Sequence, residues 1–270
     1  MDSHLLHLFV LAVVQGIAEF LPISSDGHLL LANEIWQRAG GGRLTDMLET
    51  EIVLHAGTLV SILVVYRQRI GRLLADDRQM IGKLIVGTLP AVVVGLPLHE
   101  IDACRSWLEK PLLGSCLLPV TGLLVLLASR RAEGTVEYGQ ISYTQALVIG
   151  AAQAVAILPG ISRSGMTIAA GLMLGLRREA AASFSFMLAI PVIGGAVVLG
   201  TKGFLQSPFT AAEAGSLLAA AAVSFVVGVA ALGLLLRWLR EGRLWPLAWW
   251  CIVVGVASAA WQVAGEPWYQ

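Results

Sequence analysis

Six stretches of the chain, 48–66, 81–99, 112–128, 183–201, 214–236 and 246–264, are long and apolar enough to cross a bilayer core, which takes about 20 helical residues. No other feature restricts the fold as much, because a backbone surrounded by lipid must satisfy its own hydrogen bonds and runs of this length do so as helices. Composition agrees: 57% of the 270 residues are hydrophobic and 13% charged, against about 25% charged in soluble domains. An ordinary soluble enzyme is excluded. Eighteen basic residues balance eighteen acidic ones, so no net field points to nucleic acid. Cys104, Cys116 and Cys251 have neither metal-site spacing nor the pattern of a disulfide framework. The expectation is an all-α polytopic membrane protein with about six transmembrane helices.

Four more apolar segments are short or interrupted. Segments 5–21 and 28–36 flank Pro22-Ile23-Ser24-Ser25-Asp26-Gly27, and segments 143–157 and 165–176 flank Pro159-Gly160-Ile161-Ser162-Arg163-Ser164. Proline removes a backbone donor and glycine loosens the turn, so each pair reads as a re-entrant helix-loop-helix whose polar tip needs protein or a wet cavity around it. The first segment does not read as a signal peptide: Met1-Asp2-Ser3-His4 lacks Lys and Arg, and no small-residue cleavage site closes the run before Gln15.

The two tips belong to an internal repeat. Gln15-Gly16-Ile17-Ala18-Glu19 with Pro22-Ile23-Ser24-Ser25 echoes Gln153-Ala154-Val155-Ala156 with Pro159-Gly160-Ile161-Ser162, and three spans follow each pair. Because three is odd, the second half (143–264) should sit upside down relative to the first (1–128), bringing the tips together inside the bilayer. Arg67, Arg69, Arg72, Arg78, Lys83, Arg130, Arg131, Arg177, Arg178, Arg237, Arg240 and Arg243 then fall on one side, against Arg38, Arg43, Arg105, Lys110 and Lys202 on the other. Twelve against five puts the first set in the cytoplasm and both termini outside.

Arg163 stands alone among uncharged residues from Ile141 to Leu176, and a guanidinium at membrane depth is a functional candidate. Ser162, Ser164 and Gly165 surround it at a helix start, where free N–H groups and the positive helix end make an anion seat, and the arginine fork can grip two phosphate oxygens. A plainer role is to pair with Glu19 and hold two halves together. Gln15 and Glu19 share one helix face and could hold a divalent cation. Ser24, Ser25, Asp26 and His28 follow: His28 is a candidate nucleophile or general acid and Ser25 a candidate nucleophile, although a Ser-Ser-Asp run before a helix also serves as an N-cap. His55 could orient the site or be satisfied by a neighbouring helix.

With these residues in place, the chain resembles the undecaprenyl pyrophosphate phosphatase family, also called bacitracin-resistance proteins. One family signature is matched by Gln15, Glu19, Pro22, Ser24, Ser25, Gly27 and His28, and a second by Pro159, Gly160, Ser162, Arg163, Ser164 and Thr167. The stretches Ile52 to Thr58 and Phe184 to Pro191 also look like this family, so the likeness covers nearly the whole chain. It implies hydrolysis of undecaprenyl diphosphate to the monophosphate at the outer face of the bacterial inner membrane, recycling the cell-wall lipid carrier, with Mg2+ or Ca2+. By that resemblance Glu19, helped by Gln15, serves the metal or the attacking group. Arg163 binds phosphate with Ser24, Ser162, Ser164, Gly165 and Thr167, and Ser25 and His28 are nucleophile or acid. Asp26 departs from the family pattern, which has Thr there. The expected partners are the polyprenyl diphosphate, the bilayer and, as an assembly, a homodimer. A lipid-phosphate flippase on the same repeat is the alternative, since it needs the Arg163 seat but no nucleophile; a non-catalytic bacitracin-shielding protein is a third reading.

Overall fold

Polar punctuation in the sequence becomes helix boundaries in the fold. The computed structural model describes residues 3–41, 47–75, 77–204 and 210–265. Among these the chain forms α1 (Ser3–Ala18), α2 (Ser25–Arg38), α3 (Met47–Val65), α4 (Arg67–Ala75), α5 (Arg78–Glu100), α6 (Asp102–Leu108), α7 (Pro111–Ser129), α8 (Tyr143–Val155), α9 (Arg163–Met173), α10 (Arg178–Phe204), α11 (Ala211–Arg240) and α12 (Trp245–Ala264). Ser24 caps α2, Ser162 caps α9, and Ser142 with Gln145 forms a capping box on α8, each satisfying N–H groups that a helix start leaves open. Pro111 opens α7, where its missing N–H costs nothing.

The helices α5, α7, α10, α11 and α12 each have the length and hydropathy of a membrane span, and α3 passes the same test together with α4. The chain is a multi-pass, all-α membrane protein. Between α3 and α4 it bends by 71° at the end of the first expected span. The cause is compositional: α4 carries Arg67, Arg69 and Arg72 in nine residues and cannot continue into hydrocarbon. Expected and observed spans otherwise differ at their ends. For example, α10 starts at Arg178 rather than 183, because Ala180, Ala181 and Ala182 are buried in the same core as Phe184 and Phe186. Neither α6 nor the 3-10 turn at Tyr138–Gln140 was anticipated from hydropathy.

The short segments fold as expected into two hairpins, α1 with α2 and α8 with α9, whose arms pack on each other. Their outer packing is reciprocal: α1 lies against α11, and α8 lies against α5. The first spans of the two expected halves, α3 and α10, pack together, and so do the third spans, α7 and α12. Small buried hydroxyls tie α3 to α11, with Ser61 Oγ donating to the Phe225 carbonyl at 2.9 Å and Ser224 Oγ to the Leu54 carbonyl at 3.0 Å. Half of the α10 span is buried, the largest share among the spans. It supplies the fully buried Phe184, Phe186, Leu188 and Ala189 to the core. Residues 1–2, 42–46, 76 and 205–209, within or between the expected halves, lie outside the described residues, as does Arg43 of the charge count.

Candidate active site

The two hairpin tips meet backbone to backbone. A Cβ on Gly27 would come within 3.0 Å of the Gly160 Cα, and one on Gly160, whose φ is +87°, would come within 2.2 Å of the Gly114 carbonyl oxygen. Only a residue without a side chain fits at Gly160 on both counts. The second tip is then stapled to α7: Thr121 Oγ1 donates to the Gly160 carbonyl at 2.7 Å and accepts the Ser162 N–H at 2.9 Å. Ser164 Oγ donates to the Leu21 carbonyl at 3.3 Å and so links the tips directly.

The two helix starts are built alike. Ser24 Oγ accepts the Gly27 N–H at 3.4 Å, and Ser162 Oγ accepts the Gly165 N–H at 3.0 Å. Ser24 holds φ +71°, an uncommon backbone for a residue with a side chain, at the point where the chain turns into α2. Strain of this kind concentrates at functional sites.

A buried carboxylate organises the centre. Glu19 Oε1 pairs with the Arg163 guanidinium, so the two charges at membrane depth are each other's partners. Its second oxygen, Oε2, accepts from Gln15 Nε2 at 2.9 Å and from Ser25 Oγ at 3.1 Å, and His55 Nε2 lies 3.5 Å away. The His55 ring is anchored through Nδ1 at 2.8 Å from the Glu51 carbonyl. A cavity lined by Ala18, Glu19, Ser24, Ser25, Asp26, Ala156, Ile161, Ser162 and Arg163 opens over this cluster. Arg163 spends one terminal nitrogen on Glu19, and its Nη1 is buried without a partner. Unsatisfied donors of that kind in a buried site call for an acceptor.

The remaining expected residues are placed differently. His28 does not line the cavity: its ring lies edge to edge and nearly parallel with Trp250, Nε2 accepts from the indole N–H at 2.9 Å, and Nδ1 lies 2.8 Å from the Ser24 carbonyl. Since indole only donates, Nδ1 carries the proton and both ring nitrogens are occupied. Thr167 Oγ1 is bonded to the Arg163 carbonyl at 2.8 Å and to Ser185 Oγ at 2.6 Å, and Gly165 is consumed by the cap, so Ser164, Gly165 and Thr167 shape the seat without lining it. Asp26 is exposed at the cavity. Sequence reasoning missed Thr121 and gave no chemistry to Trp250; neither carries a charge or motif that would have marked it.

Gln15 and Glu19, the expected metal pair, are bonded to one another, and only Gln15 Oε1 is left buried without a partner. Among the described residues no group of three or more His, Cys, Asp or Glu side chains is arranged to hold a metal ion. One carboxylate and one amide oxygen are too few for an all-protein cage, so a divalent cation here would have to complete its shell with substrate phosphate and water oxygens.

The family model described as Bacitracin resistance protein BacA matches residues 8–257. The chain belongs to the BacA family. A relative named undecaprenyl-diphosphatase from Rhodopirellula baltica is 47% identical over 257 residues, covering 94% of this chain and 96% of that protein. Relatives of the same name from Desulfosudis oleivorans and Carboxydothermus hydrogenoformans are 38% and 37% identical, over 91% and 95% of this chain and 94% and 97% of theirs. Both tips of the BacA fold described above lie inside the matched region.

Proposed function

We propose that this protein hydrolyses undecaprenyl diphosphate to undecaprenyl phosphate and inorganic phosphate, as the names of its relatives state for them. The observation that carries the reading is the Ser25 hydroxyl donating to a buried Glu19 carboxylate, at a cavity lined by both and by Arg163, whose Nη1 is buried without a partner. A nucleophile, a base and a phosphate-charge acceptor thus share one site. Ser25 Oγ attacks the terminal phosphorus, and the bond from that phosphorus to the bridging oxygen breaks, with its electron pair leaving on undecaprenyl phosphate. The serine proton passes to Glu19 Oε2 and on to the departing oxygen. Water then cleaves the phosphoserine, Glu19 relays its proton back to Ser25, and inorganic phosphate leaves. Arg163 compensates the charge on the transferring group in a poorly hydrated cavity, where preorganised donors are most effective. A flippase would need no such serine-carboxylate pair, and that contact favours the enzyme.

The expected Mg2+ or Ca2+ enters this proposal as the counter-ion of the diphosphate rather than as the occupant of a protein cage, and no step is routed through it. The reciprocal packing of the hairpins supports two inverted halves, and the twelve-to-five basic asymmetry supports a site opening to the outside of the bacterial inner membrane. The deciding experiment measures phosphate release from a polyprenyl diphosphate by detergent-purified protein, with Ser25→Ala as control. Release by the wild type alone is the expected result; binding without turnover would overturn it.

A further inference from the structure

A second cavity lies at the other ends of the spans, lined by Ala128, Ser129, Arg131, Leu172, Arg178, Leu239, Gly242 and Leu244, and it shares no residue with the tip cavity. It gathers the last turns of α7, α9 and α11 and the starts of α10 and α12. Its floor is apolar and its polar side chains are chiefly two arginines.

Those two guanidiniums form no ion pair among the described residues; neither does Glu179, next to Arg178 in the chain, while the other acids nearby are taken. Glu133 and Glu137 pair with Arg177, and Glu241 pairs with Arg237 and Arg243. Nor do the arginines bond the carbonyls that end α7 and α11, whose last turns close on their own backbone N–H groups: Arg131 N–H on the Ala128 carbonyl, and Gly242 N–H on the Leu239 carbonyl. Arg178 instead packs beneath the α11–α12 turn, its guanidinium 3.1 Å from where a Gly242 Cβ would stand. The serine there has already spent its proton, donating to the Leu126 carbonyl at 2.8 Å.

We propose that Arg131 and Arg178 form a binding site for the phosphodiester headgroup of an anionic phospholipid from the leaflet at that end of the bundle. Two unpaired forks suit a phosphate oxygen pair. The two arginines sit where the spans α7, α10 and α11 end, the level at which a phospholipid carries its phosphate, and that position favours a lipid headgroup over free phosphate. Basic pockets between helices at this depth recruit acidic lipids by the surface field as well as by direct bonds.

Native mass spectrometry and thermal melts of the full-length detergent-purified protein test the site, using phosphatidylglycerol, phosphatidylcholine and inorganic phosphate as probes. Phosphatidylglycerol should bind and raise the melting temperature, and R131Q/R178Q should weaken that binding about tenfold, the loss expected for charge-assisted bonds. Phosphatidylcholine should show neither effect. Phosphate release at the tip site should stay at wild-type rates and reports that the variant is folded. Should the double variant not fold, the single R131Q, at an exposed position, must still weaken phosphatidylglycerol binding. Unchanged binding in a folded variant overturns the site. Phosphate binding equal to that of phosphatidylglycerol overturns the lipid as its occupant.

Discussion

Thr121 and Ser162 are joined across 41 positions of sequence by a bond from the Ser162 N–H to Thr121 Oγ1, 2.9 Å long and fully buried. The same hydroxyl proton goes to the Gly160 carbonyl. One side chain on α7 thereby fixes the backbone on both sides of Ile161, immediately before Arg163. Thr121→Val keeps the shape and removes both bonds, leaving a buried N–H unsatisfied at a cost of about 1–3 kcal/mol. We expect a lower melting temperature and a fall in kcat that exceeds any rise in KM, with Thr121→Ser restoring most of both. Wild-type kcat in the valine variant would show that the tip holds itself.

Arg163→Ala should nearly abolish turnover, and lysine should rescue it only in part because it keeps the charge without the fork. The alanine change also strands the Glu19 carboxylate, 5% exposed, and breaking one side of a buried pair costs about 3–5 kcal/mol. Adding Glu19→Gln to Arg163→Ala should return much of the lost thermal stability and none of the activity. Thermal melts set beside phosphate release separate the two effects.

Ser25→Ala and His28→Ala should differ sharply. Loss of the Ser25 hydroxyl removes the proposed attacking atom and should cost about a thousandfold or more, whereas His28 lies outside the cavity and is bonded to Trp250. His28→Ala, Trp250→Phe and the double variant should therefore share one modest loss of activity, the non-additivity expected of groups joined in a single contact. If His28→Ala is as inactive as Ser25→Ala, the histidine has a direct part in the reaction.

Orientation is checked by labelling single cysteines in a background lacking Cys104, Cys116 and Cys251. Cysteine at Ala39 should react with a membrane-impermeant thiol reagent in intact cells with a permeable outer membrane, and cysteine at Gly139 should not. Both positions are exposed, and Gly139 lies on the arginine-rich side. The opposite pattern would turn the tip cavity toward the cytoplasm.

Hydropathy made most of this architecture legible, because the bilayer imposes a length on every span and a penalty on every unpaired polar group. The two hairpins were legible for the same reason: Pro22, Pro159 and the serine runs cannot lie in an uninterrupted span. The bend at Tyr66 was not, since it follows from the charge of α4 rather than from the apolar run before it. At the site, the isolated charges Glu19 and Arg163 announced themselves, and they are paired. What sequence could not give was direction. His28 stands beside Ser24 and Ser25 in a shared motif, yet on α2 its ring faces Trp250, a partner 222 positions away. Thr167 is expected at the phosphate from the family signature, but one helical turn beyond Arg163 it faces Ser185 of α10.

The Glu19 carboxylate and the guanidinium that neutralises it are separated by 144 residues. At about 5–20 residues per second of synthesis, the ribosome makes the acid roughly 7–29 s before its counter-charge. During that interval the carboxylate has the neutral donors Gln15 and Ser25 and then His55, but not the guanidinium that neutralises it. The first tip therefore exists for that time without the residue that completes it. On this chain the candidate site and the joining of the two hairpin tips are completed by the same residues, so assembly of the one requires assembly of the other.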